Sequence, residues 1–407
     1  MTLLDRIKRK GLGGGVKAIF VKSLTFVMLG FYNLFPIDET LIVLDSEGDC
    51  TDNAYGIYDN MRENGYLTKY KIVWLNAHPE NFKDENNVKH VKKFLDPDFQ
   101  NETIKALKTC KFYIYDHGNV LTKHKRKGQT VINLTHGASF KAPKGTARGQ
   151  KYYADETYAL SPFFYNATAE FNDCPMDKIY DMGFPRLDFL FKPISQNTAK
   201  LLDDLGFNKY KTFFLWMPTF RKSGDADISE DYFASETGLP VLYTENELAE
   251  FNGFLNKNNA VCVFKMHHLQ AAEACFNKTY SNILTVTDEI LKKASVQLYE
   301  FIKCSSSLIT DYSSVSADYM LLNRPIIYTL DDYEDYKRSR GFCFPDPIKY
   351  FPGDHVYTKN ELFESISDVC EGKDKHKEER NKLVPIMHSH ADGNAAKRIL
   401  DRLNITP

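Results

Sequence analysis

From Thr40 onward the chain alternates short, almost unbroken apolar runs with stretches of helix-compatible spacing, and few architectures accept that alternation. The runs are TLIVLD (40–45), YKIVWL (70–75), KFYIYD (111–116), TVINLTHG (130–137) and ETYALS (156–161). A strand covered on both faces needs apolar side chains at consecutive positions, whereas a half-exposed antiparallel strand needs them at every second one. Continuous runs therefore predict parallel strands, with helices over 53–65 and 98–109 as crossovers. After a pause near 192–210, where a helical LLDDLGF stands, a second series begins: TFFLWMP (212–218), AVCVFKMH (260–267), ILTVT (283–287), SLITDYSS (307–314) and RPIIYTL (324–330).

A length of 407 residues accommodates two such units. The pattern divides the chain into an N-terminal segment (1–36), a first α/β domain (37–195) and a second (196–407). The tail, roughly 376–403, reads as helical and is expected to cross back onto the first domain. Two doubly wound sheets in series leave a cleft between strand C-terminal ends, where open α/β sheets bind nucleotides.

Charge narrows the partners. Lys and Arg number 52 against 54 Asp and Glu, a net charge of -2, so no whole-molecule basic field exists to hold nucleic acid. Eight cysteines include no CxxC pair, and the closest two are 13 residues apart, which excludes zinc-ribbon and dithiol readings and predicts reduced thiols in the cytoplasm. The first 36 residues depart from the average: Arg6, Lys8, Arg9, Lys10, Lys17 and Lys22 face only Asp5, and SLTFVMLGFYNLF (23–35) follows without a charge. Thirteen uncharged residues are too few to cross a bilayer core, for which ~20 are needed. The segment suits either the interface of an anionic membrane or an ordinary first helix with its basic residues on the wet side. GLGGG (11–15) lacks both a preceding strand and a following GK[ST], so it reads as a joint rather than a phosphate loop.

Chemistry-bearing residues gather just after predicted strands. His136 ends one run, with Lys141 and Lys144 downstream; a histidine there suits general-base work, although a loop-capping histidine looks the same in isolation. Asp116-His117-Gly118 repeats the histidine but lacks the two spaced lysines, and on that ground reads as a decoy. Arg221 follows the first strand of the second domain, where its planar fork fits either phosphate oxygens or an ion pair. Lys265 and His267 share a side of an extended strand end. Thr310, Asp311, Ser313 and Ser314 run from a strand into a helix start, a place that suits both an anion and a plain N-cap. Asp331 to Gly341, with Arg340, reads as a charged loop beyond the last strand that can meet ribose or phosphate. Among metal-like spacings only His388-x-His390-x-Asp392 stands out, and it favours a structural role.

In order, THGASFKAPKG (135–145), GFPRLDFLF (183–191), MPTFR (217–221), FKMHH (264–268), LITDYSSVSADYMLLNRPIIY (308–328), DDYEDYKRSRGF (331–342), PGDHV (352–356) and HADGN (390–394), with Asp52-Asn53 before a helix, resemble the CDP-glycerol glycerophosphotransferase family of teichoic-acid and capsule synthesis. The resemblance implies a GT-B-like α/β fold, two Rossmann-like doubly wound domains facing a central cleft, with the nucleotide donor on the second. It implies transfer of glycerol phosphate from CDP-glycerol to a hydroxyl of a lipid-linked or polymeric glycan acceptor, with release of CMP. His136 would take the acceptor proton, and His267, Arg221 and Lys265 would stabilise the donor pyrophosphate. Thr310, Asp311, Ser313, Ser314 and Arg340 would contact the donor, and Lys141 and Lys144 would lie on the acceptor side. Cationic side chains supply the charge stabilisation, so no metal and no cofactor is expected. Family members work at the cytoplasmic face of the membrane, which favours membrane contact for residues 1–36. Two departures stand out: Thr135 where the family often has Trp, and His268 where it has Pro. Transfer of ribitol phosphate from CDP-ribitol, sugar transfer by a GT-B glycosyltransferase, and an inactive binding protein are the rival readings.

Overall fold

The computed structural model describes residues 20–93, 100–117, 123–143, 152–219, 235–265 and 279–407. Two all-parallel sheets form its frame. The first contains β1 (Asp38–Asp45), β2 (Lys71–Asn76), β3 (Val88–Lys92), β4 (Cys110–Tyr115), β5 (Thr130–Asn133), β6 (Glu156–Tyr158) and β7 (Ile179–Tyr180), in the order β3-β2-β1-β4-β5-β6-β7. The second contains β8 (Thr212–Met217), β9 (Ala260–Phe264), β10 (Ile283–Thr285), β11 (Ser307–Thr310), β12 (Ile326–Thr329) and β13 (Asp354–Val356), in the order β10-β9-β8-β11-β12-β13. Each sheet reverses its winding once, between β1 and β4 and between β8 and β11. Crevices open outside the strand ends at such switch points.

All ten apolar runs contain strands. β9 is buried at every residue and β8 at all but its last, as their unbroken apolar sequences require. The strands absent from the expectation are β3, β7 and β13. β3 reads VKHVK and leaves its polar positions wet, as an edge strand does. β7 has two residues and β13 three, too short for a period. A Cβ on Gly353 would stand 2.1 Å from the Ile326 carbonyl oxygen, so only glycine lets β13 reach β12. The charged run from Asp331 therefore does not follow the last strand. It lies between β12 and β13 and forms the helix Tyr333–Ser339.

Pro185–Leu190, wholly buried, is wedged between the helix Asp52–Glu63 of the first unit and the helix Leu298–Ile302 of the second. Backbone contact with the first is direct, since a Cβ on Gly56 would fall 2.5 Å from the Pro185 carbonyl carbon. The tail is two helices rather than one, Lys377–Met387 and Ala395–Arg402. Pro385 removes an N–H near the end of the first, and Gly393 turns left-handed before the second. That second helix lies against the first sheet's unit. The Asp188 carboxylate accepts the Ala395 and Ala396 N–H groups at 2.9 Å each, while Arg402 pairs with Glu156 and stacks 3.7 Å over the Tyr180 ring. Ile399, Leu400 and Ile405 join the core built around Ile42, Ile57 and Trp74.

Residues 20–32 form a helix whose Val21, Thr25, Leu29 and Tyr32 face the protein. Its other side exposes Lys22 and apolar side chains: Phe26 is 73% exposed, and Leu34, just beyond, is 81% exposed, while Arg6, Lys8, Arg9, Lys10 and Lys17 lie outside the described residues. Among the described residues no helix is long and apolar enough to cross a membrane.

Candidate active site

His136 sits three residues beyond β5, on a loop held by strain and hydrogen bonds together. Thr135 has φ 56°, an unusual left-handed state for a β-branched residue. Its N–H donates to Asn133 Oδ1 at 2.9 Å, its carbonyl accepts Asn53 Nδ2 at 2.9 Å, and its hydroxyl donates to the Tyr158 carbonyl at 3.3 Å. Strain of this kind persists only where the surroundings over-determine it, and it clusters at functional sites. Asp52, also left-handed at φ 57°, stands nearby at the start of its helix.

Arg186, from the buried wedge, ties the loop to the second unit. Its Nη1 donates to the His136 carbonyl at 2.7 Å and to Asp52 Oδ1 at 2.9 Å, while Nη2 donates to Asp318 Oδ2 at 2.8 Å. Asp318 Oδ2 also accepts the Tyr299 hydroxyl, and the guanidinium lies 4.9 Å over the Tyr299 ring. Burial works against the charge on Arg186, but Asp52, Tyr299 and Asp318 outweigh it and raise the pKa further. The next residue, Gly137, touches the opposite unit: a Cβ there would lie 2.9 Å from Ser314 Oγ. The His136 loop thus abuts the turn after β11.

Two further contacts line the same cleft. Lys141 Nζ donates to Thr219 Oγ1 at 3.0 Å, and the Asp311 carboxylate accepts the Thr219 N–H at 2.8 Å and its hydroxyl at 2.5 Å. Residues 140–142 pair with 341–343 through backbone hydrogen bonds. Lys141, through Thr219, and the His136–Gly137 loop therefore meet Asp311 and Ser314 of the second unit across the cleft.

Other candidates sit differently. Thr310 is buried and its hydroxyl donates to the Met217 carbonyl at 2.8 Å, bracing β11 on β8 rather than facing the cleft. Lys265 is buried with Nζ 2.7 Å from Asp288 Oδ1, and Arg340 caps its helix, partly buried, just before the 341–343 segment that pairs with 140–142. Lys144, Arg221 and His267 lie outside the described residues. His388 is structural, its Nε2 against the Ala317 carbonyl at 2.9 Å, and Asp392 pairs with Arg398. Among the described residues no group of three or more His, Cys, Asp or Glu side chains could hold a metal ion.

The structure brings Asp116-His117, read as a decoy from sequence, beside His136: β4 and β5 are neighbours, so their C-terminal histidines meet, with ring centroids 4.9 Å apart. The signal was present in the sequence as two His-Gly pairs at the ends of successive strands. Arg186 carried no comparable signal, because nothing in GFPRLDFLF shows that its arginine is the buried member of a cross-unit network. Burial lowers the His136 pKa, and nearby His117 and Arg186 lower it further against Asp52 and Glu47. These groups favour the neutral form of His136, which is exposed.

Two Rossmann-like parallel sheets, with their switch-point ends turned to one cleft, define a GT-B-like fold. Solved structures agree: the wall teichoic acid polymerase TagF superposes with a TM-score of 0.75 at 19% identity, covering 96% of each chain. The S. aureus MnaA–UDP structure superposes at 0.54 with 12% identity, over 91% of this chain and 98% of that one. The chain belongs to the CDP-Glycerol:Poly(glycerophosphate) glycerophosphotransferase family, whose family model matches residues 27–404. Among relatives, the teichoic acid poly(glycerol phosphate) polymerase of Bacillus spizizenii is 24% identical over 85% of this chain and 87% of that protein. The teichoic acid ribitol-phosphate polymerase TarL of Staphylococcus aureus is 25% identical over 94% of this chain but 65% of its own length.

Proposed function

We propose that the chain transfers glycerol phosphate from CDP-glycerol to a hydroxyl of a lipid-linked or polymeric teichoic-acid-type glycan, releasing CMP. The observation that carries this reading is His136: an exposed imidazole on an over-determined, strained loop, apposed to the Ser314 turn of the donor-side unit. The acceptor oxygen forms a bond to the glycerol-bearing phosphorus, the bond to CMP breaks, and the acceptor proton passes to His136. Phosphoryl-type transfer is catalysed mainly by positioning and charge stabilisation. Lys141, reaching the Thr219–Asp311 pair from the other unit, draws the two halves of such a site together, and by family resemblance Arg221 and His267 add cationic charge. A TagF variant soaked with CDPG shares this fold, with a TM-score of 0.68 over 96% of this chain and 94% of that one.

Ribitol phosphate is the second reading. Relatives named for ribitol phosphate match at 25% identity, level with those named for glycerol phosphate. Membrane attachment at the cytoplasmic face completes the proposal. The exposed apolar side of helix 20–32 borders a groove of about 480 Å³ lined by Phe26, Leu29, His124, Arg126 and Lys127, and apolar area beside basic side chains suits an anionic lipid surface.

The test offers CDP-glycerol and CDP-ribitol with lipid-linked acceptors and follows CMP. His136→Ala is expected to lower CMP release by about 100-fold or more. Silence of the wild-type protein with both donors overturns the proposal.

A further inference from the structure

His117 has carboxylates at both ring nitrogens. Nδ1 lies 2.8 Å from Asp116 Oδ1 and Nε2 lies 3.2 Å from Glu47 Oε2. The buried Asp116 carboxylate already accepts the Glu47 N–H on Oδ1 at 3.2 Å and the Ala54 N–H on Oδ2 at 3.3 Å. Burial pushes the Asp116 carboxyl up to about 7, while these N–H groups and His117 favour its anionic form, and Asp116 and Glu47 in turn raise the pKa of His117. With a carboxylate oxygen within ion-pair distance of each nitrogen, the ring is placed to carry the charge of an imidazolium. This cation packs against the His136 ring at 4.9 Å, with 31° between the planes, while His136 has no ring hydrogen bond among the described residues and only Phe171 as a further aromatic neighbour.

We infer that His117 is a positioning residue for the transfer, a fixed cation clamped by Asp116 and Glu47 that holds the facing His136 ring in its proton-accepting form. The inference rests on His136 serving as the base. Two adjacent imidazoliums repel, so the clamped one excludes a second proton from its neighbour. Every charged group near the pair takes a side in this balance. Asp116, from the β4 end, and Glu47, from the loop after β1, hold the charge on His117. Arg186, from the wedge, adds to the positive field at His136, and Asp52, at its helix start, opposes it. Burial alone would depress His117, yet the hydrogen bond and charge of Asp116, with Glu47, raise it. The two histidines are thereby pushed in opposite directions, the arrangement by which paired titratable groups take different roles.

The test compares the wild-type protein with His117→Gln, which removes the charge, and His117→Arg, which keeps it. Two readouts are the His136 ring titration by NMR and the acid limb of the kcat/KM profile. The Gln variant is expected to move the His136 midpoint up toward the ordinary histidine value of about 6.5, lowering kcat/KM at pH 6 by about 3- to 10-fold relative to its own plateau. The Arg variant is expected to keep a midpoint near that of the wild type. An unmoved midpoint in the Gln variant, or equal movement in both, overturns the inference. Ring titration needs no substrate, so a shift there with no CMP release from any donor counts against the proposed transfer and leaves the coupling standing.

Discussion

Arg186→Met is the most searching perturbation of the interface between the two units. Methionine keeps the length and most of the apolar contact with Phe184 and Tyr299 while removing every polar contact. It strands two acceptors: the Asp318 carboxylate, fully buried and left with only the Tyr299 hydroxyl, and the His136 carbonyl. Removing one partner of a buried ion pair costs about 3–5 kcal/mol. Asp52, which is partly wet, adds little. At a urea dependence of about 3 kcal/mol per molar, the midpoint falls by roughly 1–1.7 M. Asp318→Asn alone is milder, because Arg186 retains Asp52 and the His136 carbonyl. In the double variant no uncompensated charge remains, so its loss should fall short of the sum of the single losses by about 1–3 kcal/mol. Urea unfolding of the four proteins decides the matter. Strict additivity, or a cost below about 1 kcal/mol for Arg186→Met, would show that the network is not the buried clamp its geometry indicates.

Three further outcomes are expected. Thr135→Gly relieves left-handed strain of about 1–3 kcal/mol but loses the hydroxyl bond to Tyr158, so its stability should stay within about 2 kcal/mol of wild type, while kcat falls about 10-fold as the His136 loop loosens; an unchanged kcat refutes the positioning role. Phe26→Ser with Leu34→Ser should weaken partitioning onto anionic vesicles by about 10-fold or more, since each large apolar side chain contributes about 1.5–3 kcal/mol when fully buried; equal binding in a sedimentation assay argues against this face. Excess EDTA should leave CMP release intact, and abolition reversed by magnesium would contradict the assignment of charge stabilisation to His, Arg and Lys side chains.

Strands in the middle of each sheet were legible because burial on both faces forces continuous apolar sequence, as in TFFLWM and AVCVF. Edge strands were not, since VKHVK and DHV satisfy one partner and leave polar side chains to water. At the site, His136 and the Ser313–Ser314 turn were legible because strand ends carry their chemistry locally. The nearness of His117 to His136 was not legible because it depends on β4 and β5 being neighbours, a fact of strand order rather than local sequence. Arg186 was silent for a related reason: its partners Asp52 and Asp318 are separated from it by more than a hundred residues each way. The N-terminal helix packs one side on the protein and exposes apolar side chains on the other, a division compatible with both of its readings.

The chain passes between its two units twice, once forward through Pro185–Leu190 and once back between Met387 and Ala395. These passages touch, for a Cβ on Gly393 would lie 2.6 Å from Phe191 Cβ. Both ends of the second unit are thus fastened at one place on the first, beside the wedge whose Arg186 holds the carbonyl of His136.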